Sequence, residues 1–168
     1  MRSILIFVDD IYEDLELWYP KIRLEEAGFK TIVSGPEAGK TYSGKHGYPC
    51  KAEISFDAAQ SHAFAGLVIP GGYAPDKIRR HKKALELVRE MDSAKKMIAF
   101  ICHAGWVPIS AQILKGKKVT GFSAIKDDLV NAGAHFSDQA VVVDGHLISS
   151  RTPADLPSFC KAMLELLN

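Results

Sequence analysis

The chain has 168 residues, of which 47% are hydrophobic and 24% are charged, so its composition is that of a globular protein rather than a disordered or fibrous one. Its net charge of +1 provides no general attraction to nucleic acids or anionic membranes, and we expect neither as a partner. The three cysteines, at positions 50, 102 and 160, lack metal-ligand spacing, so we expect reduced thiols, no metal site and no cofactor. The first apolar run spans only residues 4–8, which is too short for a signal peptide. We therefore expect a cytoplasmic protein with a single domain over residues 1–168.

Short apolar runs alternate with amphipathic helical segments along most of the chain. Four runs are typical of strands buried on both faces of a sheet, namely residues 4–8, 29–33, 65–69 and 97–101. Five segments have helical spacing, namely residues 12–27, 82–95, 105–114, 126–132 and 153–167. Three shorter elements complete the prediction: a turn or small hairpin at 35–49, a short strand at 119–122, and a hairpin at 140–149 that turns at Asp144-Gly145.

This alternation predicts the fold class. Strands joined through helices form parallel sheets with helices on both faces. We therefore expect an α/β, flavodoxin-like, doubly wound and mainly parallel sheet with a small additional hairpin. Ligands bind beyond the carboxyl ends of the strands in such sheets. Candidate functional residues follow three of the predicted strands, namely Glu13 and Glu16, Gly71 and Gly72, and Cys102 and His103. We expect these residues to converge at one edge of the sheet.

The strand at residues 97–101 ends abruptly at Cys102 and His103. Pro108 is tolerated only in the first turn of the following helix, which must then begin near Gly105. Cys102 is thereby predicted to lie on a tight nucleophile elbow. The helix N-terminus and the adjacent histidine both favour a thiolate, so we expect a lowered pKa for Cys102. The alternative interpretation is a small buried structural cysteine.

Two other features lie at the same predicted edge. Glu13 and Glu16 are three residues apart and share one side of the first helical turn, where acids are also favoured by the helix dipole alone. If Glu16 lies beside the thiol, burial and the neighbouring charge should raise its pKa. Gly71 and Gly72 permit positive φ and a close approach of the backbone to a ligand, although a plain turn would also explain them.

Six segments in chain order resemble the ThiJ/PfpI superfamily, specifically its PfpI type of intracellular cysteine peptidases and deglycases. They are residues 11–20 (IYEDLELWYP), 44–48 (GKHGY), 70–76 (PGGYAPD), 101–103 (ICH), 125–128 (IKDD) and 150–156 (SRTPADL). The similarity runs almost from end to end, and the chain is identified as a member of that superfamily. The resemblance implies that the sheet is of the class I glutamine amidotransferase type.

The resemblance implies a role for each matching residue. Cys102 would be the nucleophile and His103 its general base or imidazolium partner. Glu16 would contact the Cys102 sulfur, with Glu13 beside it in the pocket. The backbone N–H groups of Gly72 and His103 would form an oxyanion hole.

The resemblance also implies an oligomer, either a dimer or a hexamer. In PfpI-type hexamers an acidic residue from a neighbouring subunit orients the histidine, and here Asp76 takes that position where the hyperthermophile peptidase has Glu. Phe122 and Arg151 would contact substrate, and Phe122 replaces a tyrosine of that relative. These two departures affect specificity and leave the nucleophile in place.

The implied activity is a cofactor-independent reaction in which a thiolate attacks a carbonyl carbon. The substrate would be an α-oxoaldehyde, as in glyoxalase III, or a glycated amine, as in a deglycase. The first alternative is an intracellular cysteine peptidase acting on peptides, although the shorter Asp76 leads us to expect weak peptide hydrolysis. The second alternative is a non-catalytic stress protein that senses oxidants through Cys102. An enzyme would show turnover, whereas a sensor would show only stoichiometric oxidation.

Overall fold

The computed structural model describes residues 2–168. This part of the chain contains eleven strands and six α-helices. The strands are β1 (Ser3–Phe7), β2 (Lys30–Gly35), β3 (Thr41–Ser43), β4 (Pro49–Lys51), β5 (Ile54–Ser55), β6 (Gly66–Ile69), β7 (Met97–Ile101), β8 (Lys118–Val119), β9 (His135–Phe136), β10 (Val141–Asp144) and β11 (Leu147–Ser150). The helices are α1 (Asp14–Glu26), α2 (Ala74–Ile78), α3 (Lys82–Ser93), α4 (Trp106–Ser110), α5 (Lys126–Asn131) and α6 (Leu156–Leu167).

Seven strands form the central sheet in the order β10-β11-β7-β6-β1-β2-β5. Every neighbouring pair is parallel except β10 and β11, which form an antiparallel hairpin at one edge. A second hairpin, β3 with β4, lies outside this sheet. The mainly parallel doubly wound sheet and the additional hairpin were both predicted, and the fold class is confirmed.

The core lies on both faces of the central strands. All residues of β6 and β7 are buried, as are the four apolar residues of β1. Helices α1 and α6 pack against each other and over β2, β7 and β11, whereas α3 packs on β6 and β7 beside α4. Burial of these apolar runs is the main favourable contribution to folding. Within residues 2–168 no helix combines the length and the apolar character needed to cross a membrane.

The strand order places the site. The order in which strands are added to the sheet reverses at β1. Strand β2 lies on one side of β1, whereas β6 and β7 follow on the other side. A crevice opens at such a switch point beyond the carboxyl ends of the strands. The segments that leave β1, β6 and β7 therefore meet there.

Several predicted elements differ in length or partner. The helix predicted over 105–114 ends at Ser110, and the chain then turns through Gln112 with a φ of 62°. The strand predicted over 119–122 is only Lys118–Val119, and it pairs with β9 in a separate two-stranded sheet.

The hairpin of β10 and β11 turns one residue later than predicted. Asp144 pairs with Leu147, so the two turn residues are Gly145 and His146. Gly145 takes the positive φ of 61° that a tight hairpin turn requires at its first central position. The strand β5 and the five-residue helix α2 were not predicted as elements, since neither is long enough to show a hydrophobic period.

Candidate active site

Cys102 has the strained backbone predicted for a nucleophile elbow. Its φ is 62°, a left-handed conformation that costs a non-glycine residue on the order of 1–3 kcal/mol. A 3-10 turn, Cys102–Gly105, follows β7 directly and leads into α4. The Cys102 carbonyl accepts a hydrogen bond from the N–H of Phe122 at 3.2 Å, which helps to hold the turn. The thiol is consequently presented at the end of a buried strand.

The Cys102 sulfur has polar neighbours from three segments of the chain. His103 Nδ1 lies 3.2 Å from Sγ. The backbone N–H groups of Gly72 and His103 and the carboxyl group of Glu16 also act on the sulfur, since each of them changes its pKa. Only 9% of Cys102 is exposed. The candidate nucleophile, the Cys102 sulfur, is therefore surrounded by a candidate base, a carboxyl group and two backbone N–H groups.

Glu16 is completely buried, and its two oxygens have different environments. Oε2 accepts the backbone N–H of Gly71 at 2.8 Å. Oε1 is buried without a hydrogen-bond donor. Burial first, and the nearby Glu13 charge second, raise the pKa of Glu16 to about 8, against the opposing effect of the Gly71 N–H. The predicted direction is confirmed, and Glu16 is mostly protonated at neutral pH.

The pKa expected for Cys102 was wrong in direction. Burial first and the Glu16 carboxylate second raise the pKa of the thiol to about 12, and the N–H groups of Gly72 and His103 only partly oppose this. The helix N-terminus favours a thiolate, but the larger cost of removing a thiolate from water is not evident from the sequence. Because two adjacent buried acids cannot both ionise readily, the pair carries at most one negative charge near neutral pH. A reactive Cys102 thiolate therefore requires a protonated Glu16.

His103 is a neutral imidazole near neutral pH. Burial lowers its pKa, and the positive charge of Lys45 lowers it further. The ring stacks on Phe122 with centroids 4.8 Å apart and meets the edge of Trp106 at 5.2 Å. Aromatic packing thus orients the ring, and no carboxylate of residues 2–168 forms an ion pair with it.

Two consecutive glycines make this close arrangement possible. A Cβ on Gly71 would lie 2.4 Å from Glu16 Oε2 and 2.7 Å from Cys102 Cβ. Gly72 has a φ of +77°, and a Cβ there would lie 2.5 Å from the Glu13 backbone nitrogen. Both positions therefore exclude a side chain, and Gly72 also needs a backbone conformation that favours glycine.

A cavity of about 520 Å³ opens over the Cys102 sulfur. Six of the predicted site residues line it together: Glu13, Glu16, Gly72, Cys102, His103 and Phe122. Seven further residues line it that were not predicted as site residues: Ile11, Lys45, His46, Tyr73, Trp106, Thr152 and Pro153. Its walls are thus polar beside Glu13 and Lys45 and apolar beside Trp106 and Phe122.

Arg151 does not lie in the cavity lining, in contrast to its expected contact with substrate. Its guanidinium binds Asp155 at 2.9 and 3.1 Å and Asp138 at 2.9 Å. These two carboxylates hold the Arg151 side chain outside the cavity. The next two residues, Thr152 and Pro153, line the cavity instead. The arginine therefore organises the segment that leads into α6.

Asp76 is also separate from His103 within this chain. Its carboxylate lies 3.3 Å from Arg80 Nη2, in an ion pair along α2 and the residues after it. Its side chain is 34% exposed. An action of Asp76 on His103 would thus have to come from a second copy of the chain.

The hairpin loop between β3 and β4 reaches the cavity because α1 and the preceding segment hold it. Tyr12 forms isolated bridges with Gly44 on one side and Gly72 on the other. The Lys45 N–H donates to the Tyr12 carbonyl at 2.7 Å. The only sequence signal for this wall was the GKHGY segment at 44–48, since a loop has no hydrophobic period.

Asp14 fixes the same loop from α1. Its two carboxylate oxygens accept the backbone N–H groups of His46 at 2.8 Å and Tyr48 at 2.9 Å. Glu13, Asp14 and His46 bring potential metal ligands within 4.8 Å of one another. The Glu13 carboxylate also accepts the Glu16 N–H at 2.9 Å as the cap of α1. Loop anchoring and helix capping therefore already account for both carboxylates.

Comparison with known proteins identifies the family. A sequence profile of the DJ-1/PfpI family matches residues 2–166. The chain belongs to the DJ-1/PfpI family. Deglycase PH1704 of Pyrococcus horikoshii is 43% identical over 98% of this chain and 99% of its own length. The recognition of a PfpI-type sequence is thus confirmed.

Two other members of the DJ-1/PfpI family carry different names. The putative cysteine protease YraA of Bacillus subtilis is 39% identical, and protein/nucleic acid deglycase 2 of Escherichia coli is 37% identical. In both cases the match covers 99% of this chain and 98% of the relative. The fold matches a solved two-domain protein of Anabaena variabilis, with DJ-1/ThiJ/PfpI-like and ferritin-like domains, at a TM-score of 0.98 and 40% identity. That match covers 99% of this chain and 48% of the two-domain chain.

Proposed function

We propose that this DJ-1/PfpI protein is a cofactor-independent, cysteine-dependent enzyme that converts small α-oxoaldehydes to hydroxy acids or releases glycated amines. One observation carries the proposal: the Cys102 sulfur faces a cavity of about 520 Å³, 3.2 Å from His103 Nδ1 and in contact with Glu16. A thiolate, a proton shuttle and paired backbone donors are what addition to a small carbonyl group requires.

The first step forms a carbon–sulfur bond. The Cys102 thiolate adds to the aldehyde carbon, and the carbonyl electron pair moves to oxygen. We infer that the N–H groups of Gly72 and His103, which act on the neighbouring sulfur, stabilise this oxyanion. Protonated Glu16 supplies the proton that gives a neutral thiohemiacetal.

The next steps move hydrogen between the two substrate carbons. Neutral His103 accepts the proton from C1 of the thiohemiacetal, and an enediol forms. Return of a proton to C2 gives the thioester of the hydroxy acid. Water then attacks the thioester carbon and releases the hydroxy acid, while the sulfur leaves as a thiolate. The sum is addition of one water to the α-oxoaldehyde, with no external oxidant or reductant.

A glycated amine enters through the same thiolate addition, with the amine as the group that leaves. The names of the relatives support this branch, because the Pyrococcus horikoshii protein is called a deglycase and the Escherichia coli protein a protein/nucleic acid deglycase. The absence of a nucleic-acid partner, expected from the net charge of +1, stays a prediction, because one relative is named for such a substrate.

Peptide hydrolysis is the second candidate, supported by the name of the Bacillus subtilis relative. An amine leaving group must be protonated by a well-oriented group, such as a histidine that has taken up a proton. In this chain His103 is oriented by packing against Phe122 and Trp106 and not by a carboxylate. We therefore place peptide hydrolysis below carbonyl addition. A sensor that is only oxidised at Cys102 would leave the cavity and the His103 contact unused.

We also propose that residues 1–168 act as a single domain within a homo-oligomer. The family match over residues 2–166 and one continuous apolar core support the single domain. Asp76 has a partly exposed side chain that lies apart from His103, which is compatible with a contribution across an interface.

The deciding experiment measures lactate formation from methylglyoxal by the native protein, Cys102→Ala and Cys160→Ala, each with and without a chelator. Native and Cys160→Ala proteins should turn over equally, and Cys102→Ala should lose activity by about 10³-fold or more. Activity that survives Cys102→Ala refutes the mechanism. A native protein that cleaves fluorogenic peptides but makes no lactate is a peptidase, and one that does neither but oxidises at Cys102 is a sensor.

A further inference from the structure

Lys45 is the only lysine or arginine among the described residues that line the Cys102 cavity. Lys45 is exposed, and no carboxylate of residues 2–168 lies within ion-pair distance of its ammonium group. Two other cations, by contrast, are paired within the chain, Arg80 with Asp76 and Lys40 with Glu37. The cavity thus holds one cation that no partner in this chain neutralises.

The backbone of Lys45 is fixed although its side chain is exposed. Its N–H binds the Tyr12 carbonyl at 2.7 Å, and the next turn closes through Gly47 N–H to the Gly44 carbonyl at 2.9 Å. Asp14 holds the N–H groups of His46 and Tyr48. A ligand that binds the ammonium group therefore orders only one side chain and not a loop, which lowers the entropic cost of binding.

The other ionisable groups of the cavity do not oppose an anion strongly. Glu16 is mostly protonated and His103 is neutral near neutral pH. The Glu13 carboxylate is 6% exposed and is bound to the first turn of α1, where the helix dipole partly offsets its charge. The field of Lys45 does reach the reacting groups, since it lowers the pKa of both Glu16 and His103.

We propose that Lys45 forms an anion subsite beside the nucleophile, and that the cavity selects α-oxoaldehydes that carry a carboxylate group. The ammonium group binds the carboxylate, while Trp106, Phe122 and Pro153 on the apolar side cover the carbon chain. The aldehyde end then reaches the Cys102 sulfur. The substrate assignment rests on the proposed function, whereas the anion subsite does not.

Two alkylating agents that differ in one charge test the subsite without turnover. Iodoacetate and iodoacetamide react with the same thiolate, and the ratio of their rates at Cys102 is normalised to the ratio for 2-mercaptoethanol. The native ratio should exceed that reference by about fivefold at low ionic strength and fall toward it in 0.5 M NaCl.

Matched variants assign the effect to Lys45. Lys45→Met should bring the normalised ratio to about 1, and Lys45→Arg should retain most of it. Lys51→Met removes the same charge from the exposed end of the same hairpin, outside the cavity, and should leave the ratio at the native value. A native ratio near 1, or an equal loss in Lys45→Met and Lys51→Met, overturns the subsite.

Turnover then tests the substrate assignment. The native protein should use 4,5-dioxopentanoate, a carboxylate-bearing α-oxoaldehyde, with a kcat/KM about fivefold above that for methylglyoxal. Lys45→Met should abolish this preference, so that its kcat/KM values for the two substrates are equal, whereas Lys51→Met should keep the native preference. Equal use of the two substrates by the native protein overturns the assignment. Turnover of neither refutes the proposed function and the assignment with it, while the alkylation ratio still decides the subsite.

Discussion

Gly71 donates its backbone N–H to Glu16 Oε2 over 2.8 Å, and this hydrogen bond fixes the carboxyl group beside the Cys102 sulfur. The second oxygen, Oε1, remains buried without a donor. A carboxylate would leave that oxygen charged and unsolvated, whereas a protonated carboxyl group has a hydrogen to donate. The geometry thus favours the protonated acid, which is the form that can coexist with a thiolate.

Replacement of Glu16 by glutamine should lower the pKa of Cys102. The substitution removes the negative charge that contributes to the raised pKa of the thiol, while it keeps the size of the side chain. The rate of iodoacetamide alkylation against pH should move to lower pH by about one unit. Glu13→Gln keeps an oxygen for the Glu16 N–H and should shift the profile less. An unchanged profile in Glu16→Gln would mean that Glu16 is only a helix-start acid.

The raised pKa of Glu16 also makes folding stability depend on pH. The pKa is about 8 in the folded chain and 4.5 as a model acid, so the folded state binds more protons between these values. The native free energy of unfolding should therefore fall as pH rises from about 4.5 to 8, by on the order of 2–4 kcal/mol from this group. Glu16→Gln lacks this contribution. Urea unfolding at pH 5, 6.5 and 8 should show the variant gaining stability relative to native as pH rises, and parallel curves would contradict the assignment.

Cys102 should be the first thiol to react in the native protein. Burial raises the pKa of Cys50 to about 11 and that of Cys160 to about 12, and these residues are only 3% and 2% exposed. Cys102 has comparable acidity but opens on a cavity and has backbone donors at the sulfur. Limiting iodoacetamide at neutral pH, followed by peptide mapping, should label Cys102 at least about tenfold faster than the other two. Preferential labelling of Cys50 would contradict this.

Gly71→Ala should damage the site through steric overlap. The new Cβ would lie 2.4 Å from Glu16 Oε2 and 2.7 Å from Cys102 Cβ. We expect a stability loss of about 2 kcal/mol or more and loss of turnover. Gly39→Ala is the matched control, because it meets no atom within 4 Å and carries only the cost of its φ of +79°. Thermal unfolding and activity of both variants separate the two effects, and equal losses would exclude a special role for the space at Gly71.

Asp76 should contribute to catalysis only in an oligomer. If it reaches His103 across an interface, Asp76→Asn should lower kcat about tenfold or more without changing thermal stability. Arg80→Met removes the partner of Asp76 within the chain and should leave kcat near native. Light scattering on the active preparation should then show at least a dimer. A fully active monomer would exclude the shared site.

The elements that the sequence predicted well are those with a strong one-dimensional signal. The uncharged runs of β1, β6 and β7 predicted a parallel sheet, and Pro108 limited the helix start enough to place Cys102 on its elbow. The placement of Glu16 and the thiol at one edge of the sheet followed from where the strands end, whereas their contact was implied by the resemblance to PfpI-type sequences. These inferences depend on local pattern and on the general rule for parallel sheets.

The remainder depends on contacts that a pattern does not encode. Lys45 enters the cavity from a loop that is held by hydrogen bonds to Tyr12 and Asp14. Trp106 enters it from a short helix and meets the His103 ring edge to face. Arg151 was misplaced because its two carboxylate partners are four and thirteen residues away. The pKa of Cys102 was misjudged because desolvation is a property of the packed chain.

Tyr12 joins the two sides of the cavity mouth through one residue, with Gly44 of the hairpin on one side and Gly72 on the other. Ile11 beside it has a φ of 65° and accepts the N–H groups of Tyr73 and Ala74 through its carbonyl. The hairpin and the glycine segment are consequently mechanically coupled and cannot separate without breaking several backbone hydrogen bonds. The spacing between these two walls is therefore set by the backbone rather than by the side chains that line the cavity.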